Sequence, residues 1–219
     1  MQVNKINNGS QRWVVMGVSG CGKSEIGRRL AHRLGIAFFE GDDDHPLRNV
    51  AKMANGIPLD DEDRKEWLLG LQSRIAKARG DGKGLVLSCS ALKRCYRDIL
   101  RGGDPSLMFA HLNGARTLIE SRMRTRTGHF MPLALLDSQF NTLEPLVEEE
   151  TGVVLDIRKN LDELVSEIIS RSKVRLSHSR GNFLDAMCVH FRVDIRHRVH
   201  HERHVVAQVV CAAGRGLDA

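Results

Sequence analysis

Gly17-Val18-Ser19-Gly20-Cys21-Gly22-Lys23-Ser24 sets a lysine and a hydroxyl directly behind three spaced glycines. That spacing suits a polyphosphate. In a glycine-rich turn, consecutive backbone N–H groups can all face inward around one anion. The cradle would comprise Gly17, Ser19, Gly20, Cys21 and Gly22; Lys23 would reach the β- and γ-phosphates, and the Ser24 hydroxyl would bind Mg²⁺. The apolar run Trp13–Met16 precedes the loop, and Ile26, Leu30 and Leu34 follow it on one helical face. Strand, loop and helix are the context the chemistry needs, because the helix N-terminus adds partial positive charge. An ordinary strand-to-helix turn is the plain alternative, and a glycine-rich turn alone would not exclude it.

A phosphate loop also needs a carboxylate near the metal. The third apolar run ends Ser88-Cys89-Ser90, with no acid. The candidate moves to Asp42, after the run Ala37–Glu40, where it could bind magnesium or accept the proton of an attacking hydroxyl. Asp43 reads as a solvated neighbour, and Asp44 is open between function and capping the next helix.

Phosphoryl transfer is held by cations in a dry site. Arg122 and Arg126 are four apart and share a helical face before the loop Thr127–Pro132. They read as lid arginines over ATP, or equally as a basic solvent-facing surface, since Arg124 stands between them. For an anionic substrate the nearby cations are Arg48, Lys52, Arg64, Lys93 and Arg97. His45 and His129 border the same region, whereas Trp67 and Met53 read as core.

The elements that must carry these residues follow from periodicity. Strands are expected at Trp13–Met16, Ala37–Glu40, Leu85–Cys89, Leu107–Leu112 and Val153–Ile157, separated by amphipathic helices. Asp60 is placed to cap the long helix through Trp67, Leu71 and Ile75. Asn160 and Glu163 form a capping-box pattern before Leu161, Leu164, Val165 and Ile168. Alternating strands and helices imply an α/β fold, a parallel sheet covered on both faces, with ligands at the strands' carboxyl ends.

The 219 residues suit one domain, and hydrophobic residues at 42% suit a soluble globular chain. No apolar run is long enough to span a bilayer, and Met1–Gln11 has no signal-peptide core, so a cytoplasmic location is expected. Five cysteines without zinc-type spacing read as reduced thiols. The net charge of +6 is uneven: residues 173–219 hold 8 Lys/Arg against 4 Asp/Glu, and 6 of the 10 histidines. The composition breaks near Ser172. A domain at 1–172, with a lid at about 123–140, is therefore expected to precede a weakly ordered, basic, His-rich appendage at 173–219.

Several blocks together resemble gluconokinase of the small P-loop type, similar to nucleoside-monophosphate kinases and shikimate kinase. They are Gly17–Ser24; Gly41-Asp42-Asp43-x-His45-Pro46-x-x-Asn49; Lys52-Met53-x-x-Gly56-x-Pro58-Leu59; Asp63-Arg64-x-x-Trp67-Leu68; Cys89-Ser90-Ala91-Leu92-Lys93-x-x-Tyr96-Arg97-Asp98; Gly128-His129-Phe130-Met131; and Ser138-Gln139-Phe140-x-Thr142-Leu143-Glu144. The resemblance runs from about Trp13 to about Ser170. It implies a P-loop NTPase fold with sheet order 2-3-1-4-5 and a mobile lid. It implies ATP- and Mg²⁺-dependent phosphorylation of D-gluconate at its 6-hydroxyl, a homodimer, and no membrane or nucleic-acid partner. On its positions, Lys23, Asp42 and Arg126 are the catalytic candidates. Arg122 and Arg126 would clamp the nucleotide. Asp42, Arg48, Lys52, Lys93, Arg97 and His129 would meet the substrate, and Ser24 and Asp42 the metal.

Residues 173–219 lie beyond the resemblance. His197-x-x-His200-His201-x-x-His204 lacks the glutamate of a zinc-protease motif. Two other functions stay in view: a kinase of another small sugar acid or polyol, and a nucleotide-dependent nucleic-acid-binding protein using the basic tail. No Asn-Lys-x-Asp guanine-reading motif follows the loop.

Overall fold

The computed structural model describes residues 10–125 and 133–171. Five strands form one parallel sheet: β1 (Arg12–Met16), β2 (Ala37–Glu40), β3 (Leu85–Ser88), β4 (Met108–Asn113) and β5 (Gly152–Asp156). Their order is β2-β3-β1-β4-β5. The helices are α1 (Lys23–Leu34), α2 (Leu47–Ala54), α3 (Asp61–Gly80), α4 (Arg94–Gly103), α5 (Arg116–Arg124), α6 (Leu133–Thr142) and α7 (residues 161–171).

Side-chain alternation along the strands sorts the core into two layers. Trp13 and Val15 of β1, Val86 of β3, Ala110 and Leu112 of β4, and Val153 and Leu155 of β5 face one side. There they meet Ile26 and Leu30 of α1 and Leu164, Val165 and Ile168 of α7. Val14, Met16, Leu85, Leu87 and Phe109 face the other, against Trp67, Leu71 and Ile75 of α3 and Tyr96 and Leu100 of α4. Central strands buried on both faces read as continuous apolar runs, as β1 and β3 do. Each fully buried Leu, Ile or Val contributes about 1.5–3 kcal/mol.

Helix ends are set locally. Asp60 accepts the Asp63 N–H at 2.8 Å, and the Asp63 carboxylate accepts the Asp60 N–H at 3.1 Å, a reciprocal capping box. Asn160 and Glu163 make the same exchange before α7, at 2.9 and 3.0 Å. Of the two readings left open for Asp44, the helix cap does not form. Asp44 closes a 3-10 turn, Gly41–Asp44, and its carboxylate pairs with Arg74 of α3 at 2.9 Å, while Pro46 occupies the α2 N-cap. Helix α6 has no counterpart in the periodicity reading, which passes from the Gly128–Pro132 loop towards β5. The boundary near Ser172 and the His-rich appendage lie outside the described residues.

Candidate active site

The carboxyl ends of β1, β3 and β2 converge. The Gly17 N–H donates to Ser90 O at 3.3 Å, and Cys89 N–H donates to Val15 O at 3.2 Å. Glu40 pairs in register with Ser88, and a Cβ on Gly41 would lie 2.4 Å from Ser88 O, so glycine alone admits this approach. The glycine loop after β1 and the acidic turn after β2 are thereby brought to the same edge.

The loop has the backbone its glycines permit. Gly17, Gly20 and Gly22 have φ of 137°, 80° and 104°. Such angles are strained for any residue with a Cβ. Gly20 is further restricted by α5, since a Cβ there would meet Met123 Cγ at 2.5 Å. Lys23 bends back over the loop, its Nζ donating to Val18 O at 3.1 Å. Ser24, on the first turn of α1, is partly buried. Cys21 is buried within the loop, and burial pushes its thiol upward.

Asp42 is exposed in the 3-10 turn. It shares an environment with Lys23 and Arg64. The buried Cys89 thiol is pushed up to about 12, first by burial and then by the Asp42 charge, with Lys23 and Arg64 acting in the opposite sense. Beside Asp42, His45 stacks on Trp67 with ring centroids 4.0 Å apart, and Trp67 Nε1 donates to Gly41 O at 2.7 Å. Burial lowers the His45 pKa; the Asp42 charge opposes this and Arg64 reinforces it. His45 Nδ1 and Asn49 Oδ1 are buried without a hydrogen-bond partner among the described residues.

The candidate substrate cations divide sharply. Arg48 pairs with Glu66 at 2.7 Å on an exposed surface. Lys52 sits on both Asp63 oxygens at 2.7 and 2.8 Å, and Lys93 on both Asp61 oxygens at the same distances. These bonds hold both aspartates below the usual carboxylate range, with Tyr96 adding to the effect at Asp61. The acidic first turn of α3 thus takes up the charge of Lys52 and Lys93.

Arg97 corrects the sequence reading: it is fully buried in α4, not facing a substrate site. Its Nε and Nη2 bind the Glu150 oxygens at 2.7 Å each, and its remaining N–H groups go to the carbonyls of Ala91, Leu92, Glu144 and Pro145. All five donors are committed. Arg64 has the opposite arrangement. Its Nη1 donates to Leu59 O and to Asp60 O at 3.2 Å, and among the described residues it forms no carboxylate pair. Its Nε and Nη2 edge carries no hydrogen bond there. The block Asp63-Arg64-x-x-Trp67 carries this signal, diluted among four other candidate cations.

On the far side of the loop is a cleft of about 1010 Å³, lined by Cys21, Gly22, Arg29, Arg122, Ile157 and Asn160 among others. Arg122 is fixed at its wall by an Nη2 bond to Ile157 O at 2.7 Å. Arg126 and His129, the other lid candidates, lie outside the described residues. Among those residues no group of three or more His, Cys, Asp or Glu forms a cation cage. The Ser24 hydroxyl and the Asp42 carboxylate are oxygen donors of the kind that suits Mg²⁺, which keeps its waters and shares phosphate oxygens.

A glycine loop, its lysine and an acid from the turn after β2, on a 2-3-1-4-5 parallel sheet, define a P-loop phosphotransferase. The same fold occurs in shikimate kinase from Bacteroides thetaiotaomicron, with a TM-score of 0.56 over 74% of this chain and 98% of that one, at 15% identity. No protein-family model matches the chain. Full-length relatives carry the assignment further. The thermoresistant gluconokinase of Escherichia coli K12 is 44% identical over 171 residues, covering 76% of this chain and 98% of the relative. The solved gluconokinase from Sinorhizobium meliloti 1021 is 42% identical, with a TM-score of 0.71 over 78% of this chain and 97% of that one. The chain belongs to the gluconokinase family.

Proposed function

We propose that the protein transfers the γ-phosphoryl group of ATP to the 6-hydroxyl of D-gluconate, giving 6-phospho-D-gluconate and ADP. The observation that carries this reading is the convergence of the glycine loop and the Asp42 turn at one edge of the sheet, in a chain aligned with nearly the whole of a gluconokinase.

The residues have separable roles. The loop Gly17–Ser24 binds the polyphosphate through N–H groups other than those of Gly17, Ser19 and Cys21, which donate to Ser90 O, the Gln139 side chain and Val18 O, and Lys23 compensates charge on the β- and γ-phosphates. Asp42 accepts the proton of the 6-hydroxyl while the oxygen of that hydroxyl bonds to the γ-phosphorus and the bond from the γ-phosphorus to the β-phosphate oxygen breaks. Arg122 and the cleft beside Asn160 hold the nucleoside, Arg126 joins Arg122 as the second lid arginine on the nucleotide, and His129 meets the substrate. Ser24 and Asp42 would hold Mg²⁺, which would supply charge neutralisation for the phosphates. The uncommitted Nε/Nη2 edge of Arg64 is a two-donor fork matched to a carboxylate. It therefore takes the sugar-acid carboxylate in place of Arg97, while Arg48, Lys52 and Lys93 line the approach through their α3 partners. The kinase domain is residues 1–172, and the assembly is a cytoplasmic homodimer, as the family resemblance implies.

The test is ADP release with Mg²⁺-ATP across gluconate, other sugar acids, shikimate and nucleoside monophosphates, with Lys23→Ala as control. Gluconate-dependent turnover that collapses in Lys23→Ala is expected. Turnover with another acceptor and none with gluconate would overturn the substrate, and light scattering checks the dimer.

A further inference from the structure

The Val18–Ser19 peptide of the phosphate loop is clamped from both sides. Its carbonyl, Val18 O, accepts Lys23 Nζ at 3.1 Å. Its N–H, on Ser19, donates to the side-chain oxygen of Gln139 at 2.6 Å, from 120 residues further along the chain. Rotation of this one peptide plane would turn away the carbonyl that receives the Lys23 ammonium. It would also redirect an N–H at the entrance to Gly20, whose φ of 80° already demands a specific path.

Gln139 sits on a fixed mount. On α6, Leu136 is fully buried in the core layer that also contains Val18 and Cys21. Asp137 binds Arg116 of α5 at 2.6 and 3.2 Å. Just past the helix, the Glu144 N–H donates to Leu92 O at 2.9 Å, tying this segment to the loop after β3. A half-buried glutamine held this way can set the angle of a flexible glycine loop, because its own position is determined elsewhere.

We propose that Gln139 is a positioning residue for the polyphosphate, acting through the Val18–Ser19 peptide on the loop and on Lys23. This inference rests on the phosphate-loop reading and not on the identity of the acceptor substrate. A loop already oriented loses less conformational freedom when it closes on phosphates. The gain belongs to nucleotide binding, and once the nucleotide saturates the site the loop is in place.

The test is calorimetric binding of AMP, ADP and ATP to the full chain without gluconate, followed by steady-state kinetics. Gln139→Ala should weaken ADP and ATP binding by roughly five- to tenfold, the factor of one neutral hydrogen bond, and leave AMP within twofold. KM for ATP should rise by the same factor, with kcat and the acceptor KM within about twofold. Gln139→Glu keeps the acceptor oxygen but brings a negative charge to the phosphates, so its loss of ATP affinity should shrink as salt rises, unlike that of Gln139→Ala. Unchanged ATP binding in Gln139→Ala, an equal loss for AMP, or a salt-independent loss in Gln139→Glu would overturn the proposal. Binding without gluconate distinguishes these outcomes from a mistaken acceptor.

Discussion

Arg97 and Glu150 form a two-bond ion pair inside the protein, 53 residues apart in sequence, with both side chains at most 1% exposed. Arg101 adds a third contact to Glu150 at 2.6 Å. The pair locks α4 to the segment before β5, and the Arg97 contacts with the Ala91 and Leu92 carbonyls brace the loop after β3. Removing one partner leaves the other charged and buried. Arg97→Ala should therefore destabilise the fold by about 3–5 kcal/mol, read as a fall in thermal or denaturant midpoint. A loss of activity in that variant should accompany unfolding; an intact midpoint with a raised gluconate KM would restore Arg97 to the substrate site.

This pair marks how far the sequence could be read. The five strands and the caps at Asp60 and Asn160 were legible, because alternation and capping are local. The strand order came from the resemblance and not from periodicity, since pairing is a long-range choice. Arg97 looked like a substrate cation because it follows a strand end. Only the fold brings Glu150 and four carbonyls around it, and no local pattern announces that. Asp44 was ambiguous for a similar reason: its partner Arg74 lies 30 residues away. Helix α6, which supplies Gln139, was missed because the Gly128–Pro132 punctuation obscured the start of a short apolar run.

His111 and Glu150 should give the stability two acid-sensitive windows. On β4, His111 is buried, neither ring nitrogen has a partner among the described residues, and burial, aided by Arg97, lowers its pKa from 6.5 to about 4. The unfolded chain then binds a proton that the folded chain refuses, so stability falls as pH drops from about 6.5 to about 4. Glu150 is opposed by burial, but the Arg97 and Arg101 bonds prevail and hold it at about 2 against 4.5. Its stabilisation is present above 4.5 and is lost as pH falls towards 2. His111→Phe should flatten the upper window and leave the lower one, as measured by urea unfolding across pH. An unchanged slope between pH 6.5 and 4 would mean another group carries it.

Asp42 tests the chemical step. Asp42→Asn preserves size and removes the proposed proton acceptor, so kcat should fall by about 10²–10⁴-fold while nucleotide affinity changes little. Added Mg²⁺ should not restore the rate if the main role is that of a base. If high Mg²⁺ does restore it, the carboxylate acts chiefly on the metal.

Arg64 and Arg48 make a matched comparison for substrate recognition. Both are cations beside the acidic turn. Arg48 is spent on Glu66 in an exposed pair, a kind worth about 0–1 kcal/mol, and can be lost without consequence for a buried ligand. Among the described residues Arg64 keeps its Nε/Nη2 edge uncommitted, and its guanidinium carbon lies 5.7 Å from the Tyr96 ring centroid. Charge-assisted bonds to a carboxylate are worth about 1.5–3 kcal/mol. Arg64→Ala should therefore raise the gluconate KM by roughly 10- to 100-fold, and Arg48→Ala by less than about threefold. Arg64→Lys keeps the charge but not the fork, and should fall between wild type and Arg64→Ala. The KM for ATP is the internal control, because Arg64 lies on the acid-bearing side of the loop and not in the Arg122 cleft. Equal rises in both KM values would assign Arg64 to packing of the Leu59–Asp60 turn, and a normal gluconate KM would assign the carboxylate to another cation.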